Sequence, residues 1–517
     1  MSDESGLRQF RYGKLGETVW TKKTLAFDRP YRIPDSGTPG GYDFRSVNTP
    51  LDDHESPPSY ITQFTYDYLG RMQQMIYPDG ETLTYGYDKG GQVTTVTGVT
   101  AQGQTLQYVK AITYDDYGQR VFIHYGNDVT TSYTYDPNRR WLAHILTQNN
   151  SGRVFQDTSY SFDQVGDVLS VTNNGYKKVT QTYGYDSLYE LTSAQGSYTR
   201  PSYEFDQAHR ADQYAQSFSY DVIGNMSTQT SSHNHVSPAS PNPDTLNYNF
   251  SYQYSGEHPH QATRIGNWGY QYDANGNVIT EQWLGGHPGD QGGGNNGSDN
   301  GGHNEASLNV APTAASPALN EKGGNGPENG NRDNSGNYRF GDRRFGGGKE
   351  WGMRNPHFGE GGNPYAKQFV WDEENRLIHT SGFGSPTDYL YDYKGDRTLK
   401  RGEHGETWYI DQYYQIQNGH QIEKQIFLGS TRLVTRLEDS DFHDQGYEDH
   451  NIYYYHPDHL GSTTFVTTQD GREWEHMEYT PYGQQWIDEG ENKAVIPYRF
   501  TSKEWSMMRR PDCTTTE

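Results

Sequence analysis

The sequence predicts an all-β chain, a long array of β-hairpins, and three observations carry that expectation. Hydrophobic residues make up only 31% of the 517, where about 45–50% is usual. Aromatics reach 14%, with 44 tyrosines, and glycine counts 59. An aromatic residue followed by aspartate also recurs along the chain at near-constant spacing. Helical bundles need a leucine- and alanine-rich face. Tyr, Thr and Val punctuated by Gly, Asp and Asn describe strands joined by tight turns.

The recurring pairs are Tyr66-Asp67, Tyr87-Asp88, Tyr114-Asp115, Tyr135-Asp136, Phe162-Asp163, Tyr185-Asp186, Phe205-Asp206 and Tyr220-Asp221. They return at Tyr272-Asp273, Trp371-Asp372 and Tyr391-Asp392. The first seven aspartates lie 21, 27, 21, 27, 23 and 20 residues apart, the period of one repeated supersecondary unit. Each unit reads as a hairpin. Alternating Tyr and Thr make a strand with an aromatic face, Asp opens the turn through its side chain, and Gly supplies the positive φ that closes it. A lone hairpin cannot bury that face, so each must stack on its neighbours.

Two stretches interrupt the array. Residues 228–248, rich in Ser, His, Asn and Pro, read as a loop. From Gly285 to Gly362 glycine and asparagine dominate, and such a segment is expected to stay flexible because it has little to bury. The organisation is therefore a hairpin array over 1–283, a Gly/Asn-rich insert over 284–365, and repeats resumed over 366–440.

The net charge of −24 argues against nucleic acid as a partner. The single cysteine, Cys513, excludes an internal disulfide or a cysteine-based zinc cluster. The N-terminus MSDESGLRQF lacks an apolar signal core, and no run of 18 apolar residues occurs, so neither a signal peptide nor a membrane span is expected.

His456, Asp458 and His459 lie close enough to suggest metal ligands, but Pro457 and the strand-turn context favour a structural role. Paired carboxylates such as Asp52-Asp53, Asp115-Asp116 and Glu373-Glu374 could serve a glycosidase only if two met in a cleft; the repeated Asp is better explained as turn chemistry. The 297–302 stretch is only faintly like a calcium-binding repeat. GxxxxGK[ST] and GxSxG motifs are absent, so no catalytic, cofactor or metal residue is assigned.

These residues resemble the YD-repeat, or Rhs, family. The aromatic-Asp hairpins are its repeat. Tyr455-His456-Pro457-Asp458-His459-Leu460-Gly461-Ser462-Thr463 looks like the opening of the Rhs-associated core, followed in order by Tyr479-Thr480-Pro481-Tyr482-Gly483 and Tyr498-Arg499-Phe500-Thr501-Ser502-Lys503-Glu504. The resemblance makes 441–505 the first part of that core. It implies a spiral of hairpins forming part of a hollow shell, which in Rhs effectors and the C component of Tc insecticidal toxins encloses a C-terminal toxin, and in teneurins serves adhesion. The implied role is a non-catalytic encapsulation segment. Its implied partners are the remaining shell segments and an enclosed toxin polypeptide, and its implied route out of the cell is that of the secreted parent protein. The competing readings are a surface adhesion or carbohydrate-recognition module and an enzyme on a β scaffold.

After Lys503-Glu504 the family pattern continues into Thr-Gly-Leu-Tyr-Tyr and ends in an Asp-Pro cleavage motif and a variable toxin. Residues 506–517 depart from it, so the cleavage aspartate and the toxin are expected to be missing. Read one nucleotide out of frame, Met507 to Glu517 can encode Asp-Asp-Glu-Lys-Thr-Gly-Leu-Tyr-Tyr-Tyr-Gly. The tail is therefore expected to be a frameshifted core, poorly ordered, with Cys513 an accidental thiol. Sequencing the 3′ end of the gene checks this: the alternative frame should continue into core-like sequence, and a frame that does not continue refutes it.

Overall fold

The computed structural model describes residues 2–3, 5–25, 58–199, 211–235, 246–285, 366–382, 386–402, 405–419, 421–439, 451–490 and 497–504. Phe205-Asp206, most of the Gly/Asn-rich insert and the 506–517 tail lie outside these residues. The chain divides into a unit of Met1–Gly286 with Gly362–Glu517 and a second unit of His287–Gly361. Only the first falls among the described residues.

That unit is all-β, with 33 strands and a single 3-10 turn at Phe500–Ser502 among the described residues. Each strand pairs antiparallel with the strand before it and the strand after it in sequence, from Ser2–Asp3 against Gly6–Tyr12 to Glu473–Tyr479 against Gln485–Gly490. The sheet is thus one unclosed meander.

The repeat explains its regularity. In the first described copy the Asp67 amide donates to Arg71 O at 2.9 Å and the Gly70 amide to Asp67 O at 3.0 Å. Asp67 Oδ1 meanwhile accepts from the amides of Leu69 and Arg71. Gly70 has φ 76° and the register slips between Thr65 and Tyr66, a turn closed by a glycine bulge. The bulge recurs at Tyr87, Tyr114, Tyr135, Phe162, Tyr185, Tyr220, Tyr272, Trp371 and Tyr391. Where glycine is missing, Arg140, Tyr189 and Asn375 take the left-handed conformation in its place, at a cost of about 1–2 kcal/mol for a residue with a Cβ.

The aromatic before each Asp joins one hairpin to the previous one. Tyr87 Oη donates to Met72 O at 2.7 Å, Tyr114 to Val93 O, Tyr135 to Arg120 O, and Tyr185 to Val168 O. Tyr220 donates to Leu191 O, Tyr391 to Leu377 O, and the Trp371 indole to Val278 O. In each of these the acceptor lies five residues past an earlier repeat aspartate: the immediately preceding one in all but Tyr220, whose acceptor follows Asp186. Phe162 has no donor and packs its ring 5.1 Å from Trp141 instead.

The sheet then returns over itself. Lys23 Nζ donates to Tyr409 O, Tyr77 Oη to Gln425 O, Tyr85 Oη to Phe427 O, and Asn127 Nδ2 to Thr468 O. Farther on, Gln156 Nε2 donates to Thr464 Oγ1 and Trp486 Nε1 to Asp212 Oδ1. As the first half advances from residue 23 to 212, its partner advances from 409 to 486. The main core lies between these layers, with Met75, Leu83, Val96, Ile123, Ile426, Val434 and Phe465 fully buried. Gly126 shows how close they come: a Cβ there would fall 1.7 Å from Gln107 O and 2.6 Å from the Tyr454 hydroxyl.

One expectation is corrected. Residues 228–235 are not loop: Met226–His235 is a full strand, paired with Ala211–Tyr220 from Asp212↔His235 to Tyr220↔Met226. Polar residues make this strand by pairing across it. Ser217 bonds Thr230 at 2.5 Å and Ser219 bonds Thr228 at 2.6 Å on one face, while Gln229 and Ser231 are buried on the other.

The aromatic-to-carbonyl bond predicts a measurable loss. Tyr87→Phe removes only the hydroxyl and should lower stability by about 1 kcal/mol, read as a fall in the urea midpoint. An unchanged midpoint would mean the bond contributes nothing.

Candidate functional site

The signature residues divide by position. Asp186, Asp273, Asp372 and Asp392 each accept at Oδ1 from the amides two and four residues on. Asp88 accepts from Gln92, and Asp136 from Asn138 and Arg139. Tyr66 donates to Thr18 O and Tyr272 to Ala262 O. These residues build and join hairpins.

The three core motifs, far apart in sequence, come together. Asp458 opens a turn of the repeat type, accepting from the Leu460 and Ser462 amides, with Gly461 at φ 84°. The next strand begins at Thr463, whose carbonyl accepts from Tyr479 Oη at 3.0 Å and whose amide donates to Arg499 O at 3.1 Å. Ser502 Oγ donates to Gly461 O, and the Thr501 amide to Ser462 Oγ. The Tyr479 and Phe500 rings lie 5.5 Å apart. Gly483 is held under Phe500, where a Cβ would come within 2.6 Å of the ring, and Tyr482 bonds the Tyr220 hydroxyl at 2.9 Å. To turn this tightly, Thr501 and Ser502 adopt φ 49° and 57°, a strained conformation that the surrounding contacts must hold.

Buried ions lock the junction. Arg499, 2% exposed, pairs with Glu475 at 2.5 Å. Glu504 meets Arg397, Lys400 and the Tyr409 hydroxyl; burial opposes its ionisation, but Lys400 and Arg397 hold it below the usual carboxylate range. His456 is buried, with Nε2 2.8 Å from Thr467 Oγ1 and its ring edge-on to Tyr125 at 4.9 Å. His459 packs 4.8 Å from Tyr160. Pro457 closes its strand at a bulge, with its carbonyl facing the Gln156 amide at 3.5 Å. The structure thus separates His456, buried against Tyr125 and Thr467, from Asp458 and His459, which line one cavity.

Below this junction lies a cavity of about 70 Å³, well under the several hundred Å³ of a typical small-molecule site. Tyr160, Tyr183, Asp458, Glu478, Tyr479 and Phe500 contribute to its wall.

Sequence reasoning missed a second cluster because its members lie about 350 residues apart. The carboxylates of Asp79, Glu81 and Glu438 come within 4.8 Å of one another, as metal ligands would. Protein cations already neutralise them. Lys424 Nζ sits 2.7 Å from Glu81 and 3.0 Å from Glu438 and also pairs with Asp79. Arg436 bonds Glu81 at 2.6 Å and Glu438 at 2.5 Å. A further set joins Lys177 to Glu473 and Glu489. Against its burial, Glu489 is held well below the usual range by His476 and Lys177.

His456 gives the junction a pH dependence. Burial pushes its pKa from 6.5 down to about 3, so the unfolded chain takes up this proton first. The stability His456 contributes is complete above pH 6.5 and drains away as pH falls towards 3. Burial raises Asp458 to about 7, which acts in the opposite direction, so the informative quantity is a difference between proteins. Between pH 6.5 and 4, melting temperature should fall less steeply in His456→Gln than in the parent chain; equal slopes would exclude the effect.

An RHS Repeat family model matches residues 66–105. Toxin subunit YenC2 of Yersinia entomophaga is 29% identical over 218 residues, 37% of this chain and 22% of its own length. Toxin subunit YenC1 of the same organism is 31% identical over 194 residues, 33% of this chain and 20% of its own length. A TcdB2–TccC3 crystal structure matches 98% of the chain with TM-score 0.59 at 18% identity, using 22% of that chain. A Photorhabdus luminescens Tc holotoxin pore matches 98% with TM-score 0.57 at 18% identity, using 21% of that chain. The chain therefore spans about a fifth of the length of these relatives. The chain thus carries an RHS repeat over residues 66–105, is similar in sequence to part of the Tc toxin subunits YenC1 and YenC2, and shares the fold of part of the TcdB2–TccC3 structure.

Proposed function

We propose that the chain is a non-catalytic wall segment of an Rhs- or Tc-type shell that encloses a passenger polypeptide. The observation that carries this reading is the neighbour-only pairing of all 33 described strands, combined with the return of the last windings over the first. A sheet that grows by one hairpin at a time extends a wall without limit, and the likeness to the TcdB2–TccC3 fold supports that use. The remaining shell segments and the enclosed toxin polypeptide are the partners of this reading, and export occurs with the parent protein. The ions at the motif junction serve as ties in the wall: Arg499 with Glu475, and Glu504 with Arg397 and Lys400. The acidic balance of the chain gives nucleic acid no role.

A carbohydrate-recognition reading has one observation in its favour. Tyr68, Tyr117 and Tyr189 stand exposed at three of the repeat turns, where aromatic rings could stack on sugars.

As a passive wall segment the purified chain should stay intact, and its expression should leave cell growth unchanged. Intact mass after purification and the growth rate of expressing cells are the measurements. A discrete cleavage product or residue-dependent growth arrest refutes the non-catalytic reading, and selective retention on a glycan array that is lost in Tyr68→Ala and Tyr117→Ala favours the carbohydrate one.

A further inference from the structure

The cavity beneath the motif junction has a chemistry that the wall does not use. Two acidic residues contribute to it, Asp458 and Glu478, and its lining contains neither lysine nor arginine. Two sister turns are neutralised internally. At Asp67 the second carboxylate oxygen receives Arg71 Nε at 2.7 Å, and at Asp372 it receives Arg376 Nε at 2.6 Å. At Asp458 the corresponding position is Ser462, whose hydroxyl accepts from the Thr501 amide. Glu478 Oε1 accepts from His476 Nε2 at 3.0 Å.

Two hydroxyls on the wall are also unspent. Tyr160 is 8% exposed and Thr480 1% exposed, and neither hydroxyl has a hydrogen-bond partner among the described residues. Buried polar groups are ordinarily satisfied, so this pair marks a place made for something that accepts or donates. The rings of Tyr160, Tyr183, Phe465, Tyr479 and Phe500 make the aromatic part of the wall. Aromatic rings beside carboxylates in a partly desolvated space attract an organic cation. The carboxylate, histidine and cysteine atoms of this cavity do not form a three-ligand metal cluster, since the one such group among the described residues is Asp79, Glu81 and Glu438.

We propose that this cavity binds the primary ammonium head of a lysine side chain presented by an extended polypeptide, filling the place that Arg71 and Arg376 fill in sister turns. A cavity of about 70 Å³ suits such a head and the end of its methylene stem. The exposed His459 and Leu460 mark its solvent side. The proposal stands on this geometry and does not depend on the shell reading.

The test is isothermal titration of the full chain with Nα-acetyl-lysine N-methylamide, compared with its norleucine counterpart, which keeps the stem and lacks the charge. Saturable binding of the lysine probe, at least about tenfold tighter than norleucine, is expected. Glu478→Gln and Asp458→Asn should each abolish that preference. Asn149 already forms this kind of turn, accepting at Oδ1 from the Ser151 and Arg153 amides, so Asp458→Asn keeps the hairpin, and circular dichroism checks it. Loss of preference in either folded variant supports the site. Equal binding of the two probes, no saturable binding, or unchanged preference in both variants overturns it.

Discussion

The hydrogen bond from the aromatic tip of most repeats to the carbonyl five residues past an earlier repeat aspartate is the constraint on which the array rests. The aspartate alone would make isolated hairpins, because its carboxylate satisfies only the amides of its own turn. The aromatic reaches outward, as Tyr87 does to Met72 and Tyr391 to Leu377. One dipeptide thus encodes both a turn and a link to the previous turn. This explains why the aromatic stands immediately before the acid, and why Trp371, with its indole N–H, substitutes for tyrosine without breaking the pattern. Phe162, lacking any donor, is accommodated by ring packing on Trp141.

Stacking of the two layers uses a different chemistry. The repeats supply apolar faces, but the residues that fix which winding lies over which are buried ions and amides. Glu81 meets Lys424 and Arg436, Lys177 meets Glu473 and Glu489, and Arg8 meets Asp392. Removing one member of such a pair leaves an uncompensated buried charge, typically a loss of about 3–5 kcal/mol. A purely apolar interface between two near-periodic surfaces would tolerate slippage by one hairpin. A buried carboxylate that must find its cation does not.

The division between what the sequence discloses and what it conceals follows range. The all-β class, the hairpin and the role of Asp67 or Asp273 are legible because they depend on residues within five positions. The outward bond of Tyr87 is not legible, because a tyrosine on an aromatic strand face reads as core. The strand at Met226–His235 is hidden for another reason: Ser, Thr, Gln and His alternate there as they would in a loop, and only the pairing of Ser217 with Thr230 reveals a ladder. The Asp79–Glu81–Lys424–Arg436–Glu438 cluster spans 360 residues of sequence and carries no local signal. At the junction, Tyr455–Thr463, Tyr479–Gly483 and Tyr498–Glu504 were recognisable as motifs in order, but that Thr463 would bond both Tyr479 and Arg499, and Ser502 would bond Gly461, was not. The cavity they enclose with Tyr160 was equally invisible.

The neighbour-only order of the sheet separates two timescales of assembly. Hairpins of roughly twenty residues form within microseconds and can be added one by one as the chain emerges from the ribosome. The aromatic faces of the first windings nevertheless wait for residues 409 to 486 before they are covered. At about 5–20 residues per second, Tyr77 and Tyr125 spend tens of seconds on an open, sticky surface. A ribosome that stalls in the glycine- and asparagine-rich region prolongs that exposure. How long those faces stay uncovered is therefore set by the pace of synthesis, before the finished molecule's stability has any say.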